Sequence, residues 1–215
     1  MNHIPMRMHA PSLRPQKLTR RAMAKQQTRE KVLQAAREMF IERGYEGATI
    51  RDIARAAGMS TGAVFASFTD KPELFDAILS EDFAALVDPM KDAATTAPSA
   101  REALVAMFGV AYRMHAAQLP LIQAALAASW TRTPEAEHLR RETMRPVRAL
   151  VTEALERGVD RGELSQRFDL SLVADVVWDL FLAGYRPAAF EGLSTEGQTG
   201  RLAERIDLVL AAVKA

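Results

Sequence analysis

The stretch from Thr49 to Phe75, TIRDIARAAGMSTGAVFASFTDKPELF, constrains this chain more than any other, because it spells two short helices joined by a three-residue turn. Thr49 is placed to cap the first helix, with Asp52 three residues on, and Ile53, Ala54 and Ala57 supply an apolar face. Gly58 suits the residue after the helix, where positive φ is commonly required. Ser60 or Thr61 can cap the second helix, whose Val64 and Phe68 lie four apart and therefore face one core. Thr61, Gly62, Ala63, Phe65, Ala66 and Ser67 are left on the other side. A small, mostly uncharged helix face of this kind can approach base edges in a DNA groove.

The arrangement resembles the N-terminal DNA-binding domain of the TetR family of transcriptional regulators. The residues that carry the likeness are Gly44-Tyr45, Thr49 to Ala57, Gly58, Gly62, the aromatic pair Phe65/Phe68 and Lys71, and it extends over Thr28 to about Leu79. It implies a three-helix headpiece, whose first helix runs from Thr28 to Arg43 with Val32, Leu33, Ala36 and Phe40 inward, followed by a linking fourth helix. It also implies that Thr49, Ser60, Thr61, Gly62, Ala63, Phe65, Ala66, Ser67 and Lys71 face double-stranded operator DNA. Two departures stand out. The family usually has tyrosine where this chain has Phe65, and an aromatic or histidine followed by histidine where it has Ala66-Ser67. Phe65 cannot hydrogen-bond a phosphate, which leaves it an apolar contact such as a thymine methyl.

Charge agrees with this polarity. Residues 1–80 hold 13 Lys/Arg against 8 Asp/Glu, whereas residues 81–215 hold 15 against 19. Arg7, Arg14, Lys17, Arg20, Arg21, Lys25, Arg29 and Lys31 precede Val32 with only Glu30 opposing them. A polyphosphate would attract such a segment, and each phosphate neutralised would release counterions. A solvated tail is the alternative reading. The expected organisation is a basic arm over residues 1–24, a helix-turn-helix domain over 25–72 and a helical domain over 73–215.

Beyond Lys71 the pattern is helical throughout, and no run alternates with period two. Asp70 can cap a fourth helix, with Pro72 in its first turn and Leu74, Phe75, Ile78, Leu79, Phe83 and Leu86 as its stripe. Ala93 to Ser99 reads as a loop. Ala100 to His115, Pro120 to Trp130, Pro134 to Arg157, Asp169 to about Phe190 and Thr195 to Val213 read as further helices. Pro146 should kink or divide the third of these. The fold class is therefore all-α: an N-terminal helix-turn-helix domain followed by a helical ligand-binding and dimerisation bundle.

A helix-turn-helix that reads two half-sites must be dimeric, so a homodimer is expected. The last two long helices offer the surface: Leu172, Val176, Asp179, Leu180, Ala183 and Ala188 on one, Leu202, Ile206, Val209, Leu210 and Val213 on the other. The resemblance implies a four-helix dimer interface there; packing within one subunit is the alternative. For a small-molecule effector, the candidate pocket residues are Met107, Phe108, Met114, His115, Gln123, Trp130, Met144, Trp178 and Phe181, bulky or amphipathic side chains suited to an apolar cavity. Each also suits an ordinary core, and none identifies a charged ligand.

Composition narrows the function classes. With 48% hydrophobic and 26% charged residues the chain reads as a folded, soluble protein. It contains no cysteine, which excludes disulfides, thiol nucleophiles and cysteine-ligated zinc. The apolar runs Leu119 to Trp130 and Leu172 to Phe190 are short or interrupted, so no membrane partner is expected, and the prolines of the first fifteen residues break any secretory h-region. A cytoplasmic protein follows. No phosphate loop, HExxH helix or nucleophile elbow occurs, the four histidines have no ligand spacing, and neither catalytic residues, metal nor cofactor are expected. The reading is a repressor released from its operator by a hydrophobic or amphipathic compound, with control of an efflux or catabolic gene in view. Its alternatives are a ligand-independent DNA binder, a helical interaction protein or an enzyme.

Overall fold

Hydroxyl and carboxylate caps start most of the helices of the computed structural model, which describes residues 19–215. Arg7, Arg14 and Lys17 of the expected basic arm lie outside the described residues. Thr19 caps α1 (Arg20–Gly47), so the boundary expected at residue 24 falls inside a helix. Gly44, at φ 72° and ψ 164°, breaks α1 near its end, as the Gly-Tyr turn predicts. Thr49 caps α2 (Ile50–Ala56) and Ser60 caps the short α3 (Thr61–Phe65). Gly58 between them has φ 68°, the left-handed conformation that favours glycine.

The headpiece core forms where these helices meet. Val32, Ala36 and Phe40 of α1, Ile53 of α2 and Val64 of α3 are fully enclosed, and Phe68 is 2% exposed. Burying each of the larger side chains contributes about 1.5–3 kcal/mol. The rings of Phe40, Tyr45 and Phe75 form a cluster with centroids 4.7–5.6 Å apart, which joins the end of α1 to α4 (Lys71–Thr95). α4 crosses the expected domain boundary without interruption, and it continues through residues 93–95, which the sequence assigns to a loop. Met90 and Ala94 extend its buried stripe, so packing overrides the small-residue composition there.

The remaining elements are α5 (Ala100–His115), a single 3-10 turn (Ala116–Gln118), α6 (Leu119–Ser129), α7 (Pro134–Asp160), α8 (Leu170–Ala183), α9 (Tyr185–Glu191) and α10 (Thr195–Ala212). α5 is the central helix, packed against α4, α7 and α10, while α6 lies against α1. Pro146 does not divide α7, contrary to expectation. It sits on the exposed side with Glu142, whose carbonyl loses its intrahelical donor, while Val147, Leu150 and Val151 hold the buried side. The helix expected from Asp169 to Phe190 is two. Pro187 cannot donate to the Ala183 carbonyl, and at Gly184 a Cβ would collide with the Tyr112 hydroxyl oxygen.

The expected dimer faces divide. On α8, Leu172 and Val176 are 63% and 41% exposed, and Asp179 and Ala183 also face outward. On α10, Leu202 and Ile206 are buried within the subunit, as is Val213 just past its end, and Leu208, 76% exposed, takes the outward position. Helical spacing identified an apolar stripe on α10 but could not say which neighbour it meets.

Candidate nucleic-acid interface and effector cavity

α3 is short, and its outward face is free. Thr61, Gly62, Phe65 and Ala66 are exposed, Ala63 and Ser67 are half-buried, and Val64 and Phe68 turn inward, which is the division the spacing predicts. Arg29 of α1 fixes the far end: its guanidinium lies 4.2 Å from the Phe68 ring centroid and donates to the Ser67 carbonyl. The Ser60 hydroxyl accepts from the Ala63 amide and so holds the near end.

Thr49 and Lys71 already have protein partners. The Thr49 hydroxyl accepts from the Asp52 amide and donates to the Asp52 carboxylate at 2.7 Å. That bond, with Arg55 nearby, holds the Asp52 carboxyl below its ordinary value. The Lys71 ammonium donates to the Tyr45 carbonyl at 2.8 Å and the Ala48 carbonyl at 3.2 Å, 4.2 Å above the Tyr45 ring. Two of its three hydrogens are thereby committed, closing the end of α1 onto the start of α4.

A cavity of about 680 Å³ opens between α6, α7 and α8. Of the nine side chains named from the sequence, His115, Met144, Trp178 and Phe181 line it. Met107 and Phe108 are core instead, fully buried behind the wall, with Phe108 stacked on Phe181 at 4.4 Å. Met114 and Gln123 lie off the cavity, and Trp130, 90% exposed, projects from the end of α6. The apolar lining that sequence reasoning missed includes Ile122, Leu126, Val151 and Tyr185.

The larger omission is charge. Arg132, Arg140, Arg141, Arg145 and Arg148 line the cavity against Glu137, Asp175 and Asp179. The spacing of Arg141, Arg145 and Arg148 places them on one face of α7, a signal that reads as surface ion pairing until α8 is set beside it. Glu137 pairs with Arg141 at 3.0 Å and Arg132 at 3.8 Å, Glu142 with Arg145, and Asp175 with Arg148. Arg140 pairs with no carboxylate among the described residues; it lies 4.2 Å from the Phe83 ring centroid. Burial, with Arg132 adding like charge, pushes its guanidinium down to about 10. Asp76 and Glu137 offset this only in part and from beyond pairing distance, and a guanidinium so placed in a cavity wall attracts an anion.

A polar joint connects this half to the headpiece. Arg37 on α1 donates through Nη1 to Asp82 on α4 at 2.5 Å and to Gln118, the last residue of the 3-10 turn, at 2.7 Å. Burial pushes the Asp82 carboxyl up despite Arg37, and its Oδ2 has no partner among the described residues. Sequence reasoning named α4 alone as the connection to the headpiece; the turn after His115 is a second.

The comparisons with known proteins agree with this architecture. Residues 32–78 match the profile of the bacterial regulatory proteins of the tetR family, and residues 98–206 match the tetracyclin repressor-like C-terminal domain. The chain belongs to the tetR family, a family of transcriptional regulators and not of enzymes. It is 43% identical over 65 residues to the HTH-type transcriptional repressor AcnR of Corynebacterium efficiens, covering 30% of this chain and only 35% of that protein. Similarity to the repressor KstR2 of Mycobacterium tuberculosis is lower but wider, 28% over 182 residues, covering 80% and 87%. The structure of the transcriptional regulator FadR from Bacillus subtilis, in complex with stearoyl-CoA, superposes with a TM-score of 0.73 at 16% identity, covering 86% of this chain and 98% of that one. Among the described residues no helix is long and apolar enough to cross a membrane.

Proposed function

We propose that the protein is a homodimeric repressor that leaves its operator when an amphipathic anion fills the cavity between α6, α7 and α8. The single observation that carries the effector half of this reading is the combination of an aromatic wall with a half-buried Arg140, which pairs with no carboxylate among the described residues, in a space of about 680 Å³. Ligand sites commonly measure about 300–1,000 Å³, apolar with a few placed polar groups. An apolar body fits beside Trp178, Phe181 and Met144, and a negatively charged head offsets Arg140. An acyl thioester such as the stearoyl-CoA bound to the Bacillus FadR has both halves.

The DNA half rests on α3. Thr61, Ala63 and Phe65 approach base edges, while Ser60, Ser67 and the third hydrogen of Lys71 approach phosphates. Pairing through α8 and the outward side of α10 is supported by the unpartnered Leu172, Val176 and Leu208. Release requires that the effector bind the non-competent dimer geometry better, and a shift from 1:99 to 99:1 needs about 5.5 kcal/mol of difference. The Arg37 joint and α4 are the two elements through which cavity and headpiece share that difference.

The test begins with duplex DNA selected by the protein from a randomised pool. Its release is then followed by fluorescence anisotropy during titration with stearoyl-CoA, stearate and the uncharged stearyl alcohol. The charged probes should release DNA at concentrations where the alcohol does not, and Arg140→Met should erase that difference. DNA binding that no probe alters would make the protein a ligand-independent binder; absence of DNA binding by a folded dimer would end the reading.

A further inference from the structure

His115 is the last residue of α5, and its ring shares the cavity wall with Trp178, Phe181 and Tyr185. It is 4% exposed. Nδ1 lies 2.6 Å from the Tyr185 hydroxyl, while Nε2 is buried with no partner among the described residues. Burial pushes the imidazole down to about 4, so at neutral pH the ring is uncharged and carries one N–H.

Two tautomers are available. With the hydrogen on Nδ1, the ring donates to the Tyr185 oxygen; the phenol hydrogen then has no acceptor among the described residues, and Nε2 is a second unfilled site. With the hydrogen on Nε2, Tyr185 donates to Nδ1 and only the Nε2–H is left over. A buried unsatisfied polar group costs about 1–3 kcal/mol, so the arrangement with one orphan prevails over that with two. The chain therefore holds a neutral N–H donor, fixed by a phenol, on a residue of the cavity wall beside Trp178 and Phe181.

We infer that this donor selects effectors that carry a hydrogen-bond-accepting oxygen, such as a ketone, ester or ether, within their apolar part. The inference rests on the reading of the cavity as the site of an amphipathic anion and narrows its chemistry. A saturated tail packed against His115 would leave the N–H unsatisfied, whereas an oxygen at the same place completes it. The position also favours signalling. Ala116–Gln118 follows immediately, and Gln118 accepts from Arg37 of the headpiece, so a bond made at His115 is formed three residues from the joint with α1.

The test uses decanoyl-CoA and its 5-, 7- and 9-oxo derivatives as probes, with affinities from calorimetry on the full chain. At least one oxo probe should bind about tenfold more tightly than decanoyl-CoA, the effect of about 1.4 kcal/mol from one satisfied donor. In His115→Leu the ratio between the two should fall to about one, whatever the absolute affinities, while His115→Gln, which keeps an N–H donor, should retain part of it. If His115→Leu does not fold, Tyr185→Phe carries the test, since loss of the phenol frees the tautomer and should lower the ratio. Decanoyl-CoA binding with no oxo preference, or a preference that survives the His115 and Tyr185 changes, overturns the inference and leaves the amphipathic anion standing. Failure of every probe, decanoyl-CoA included, overturns both.

Discussion

The headpiece and the effector half present their working surfaces in opposite ways. α3 turns small and aromatic side chains outward from a core only a few residues deep, so its face follows from the three- and four-residue spacing of one short segment. The cavity is a concave space bounded by α6, α7 and α8, with single side chains from α4, α5 and α9. Its character depends on which helix sides meet. A convex site is written locally, and a concave one is written in packing.

This difference is broken most forcefully by a pair of phenylalanine changes. Phe108 is fully buried and stacked on Phe181, so Phe108→Ala should cost about 3–5 kcal/mol in urea denaturation, with loss of the cavity wall. Phe65 is 53% exposed, and Phe65→Ala should change stability by less than about 0.5 kcal/mol while weakening DNA binding. Comparable stability losses for the two would mean that the α3 face is packed rather than presented.

Acid should separate the halves next. The folded His115 titrates at about 4, below its ordinary 6.5, because burial disfavours the charged ring. Between those values the unfolded chain binds a proton that the folded chain refuses. Its contribution is complete above about pH 6.5 and is lost as pH falls towards 4, by about 3 kcal/mol in total. Asp82, whose carboxyl burial pushes up, acts in the opposite direction in the acid range. The measurement is therefore the difference between parent and His115→Gln in urea midpoints from pH 7.5 to 4.5. A difference that does not change with pH would mean that the ring is solvated.

The same contrast explains what was legible in the sequence. Capping residues and spacing placed α2, α3 and the start of α4, because Thr49, Ser60 and Asp70 act on amides three residues away. α5 was legible end to end. The split between α8 and α9 was not read, although Pro187 marks it locally; what the sequence does not display is the Tyr112 hydroxyl beside Gly184, a contact across more than seventy positions. Met107 and Trp178 look alike as bulky residues on apolar helices, and only the meeting of α7 with α8 makes one core and the other lining. Arg140, Arg141, Arg145 and Arg148 all lie on α7, and they belong to the site only because α8 is set beside that helix.

Between the two halves, Arg37, Asp82 and Gln118 should behave as a unit. Removing Arg37 leaves the half-buried Asp82 carboxylate without a cation, and removing Asp82 leaves Arg37 only Glu81 at 3.7 Å, so Arg37→Met and Asp82→Asn singly should each cost more than their shares of the double variant. A coupling of about 1–3 kcal/mol is expected from a double-mutant cycle of urea stabilities. Gln118→Ala should leave DNA affinity close to that of the parent but raise the effector concentration needed for release. Additive effects across Arg37 and Asp82 would show two independent surface charges, and α4 would then be the sole connection.

The smallest effect concerns Lys71, where the two kinds of site meet. Its ammonium closes Tyr45 and Ala48 carbonyls at the end of α1, a local structural task, yet one hydrogen is uncommitted among the described residues. Lys71→Met keeps the stem over the Tyr45 ring and removes the charge. If that third hydrogen reaches a phosphate, the slope of log affinity against log salt should lose about 0.9 in magnitude, with affinity lowered on every sequence alike. The measurement is anisotropy at four or more salt concentrations on selected and scrambled duplexes, beside the melting temperature of each protein. A slope equal to the parent's, together with a lower melting temperature, would assign Lys71 wholly to the joint between α1 and α4, and the phosphate contacts of this headpiece would then rest on Ser60 and Ser67.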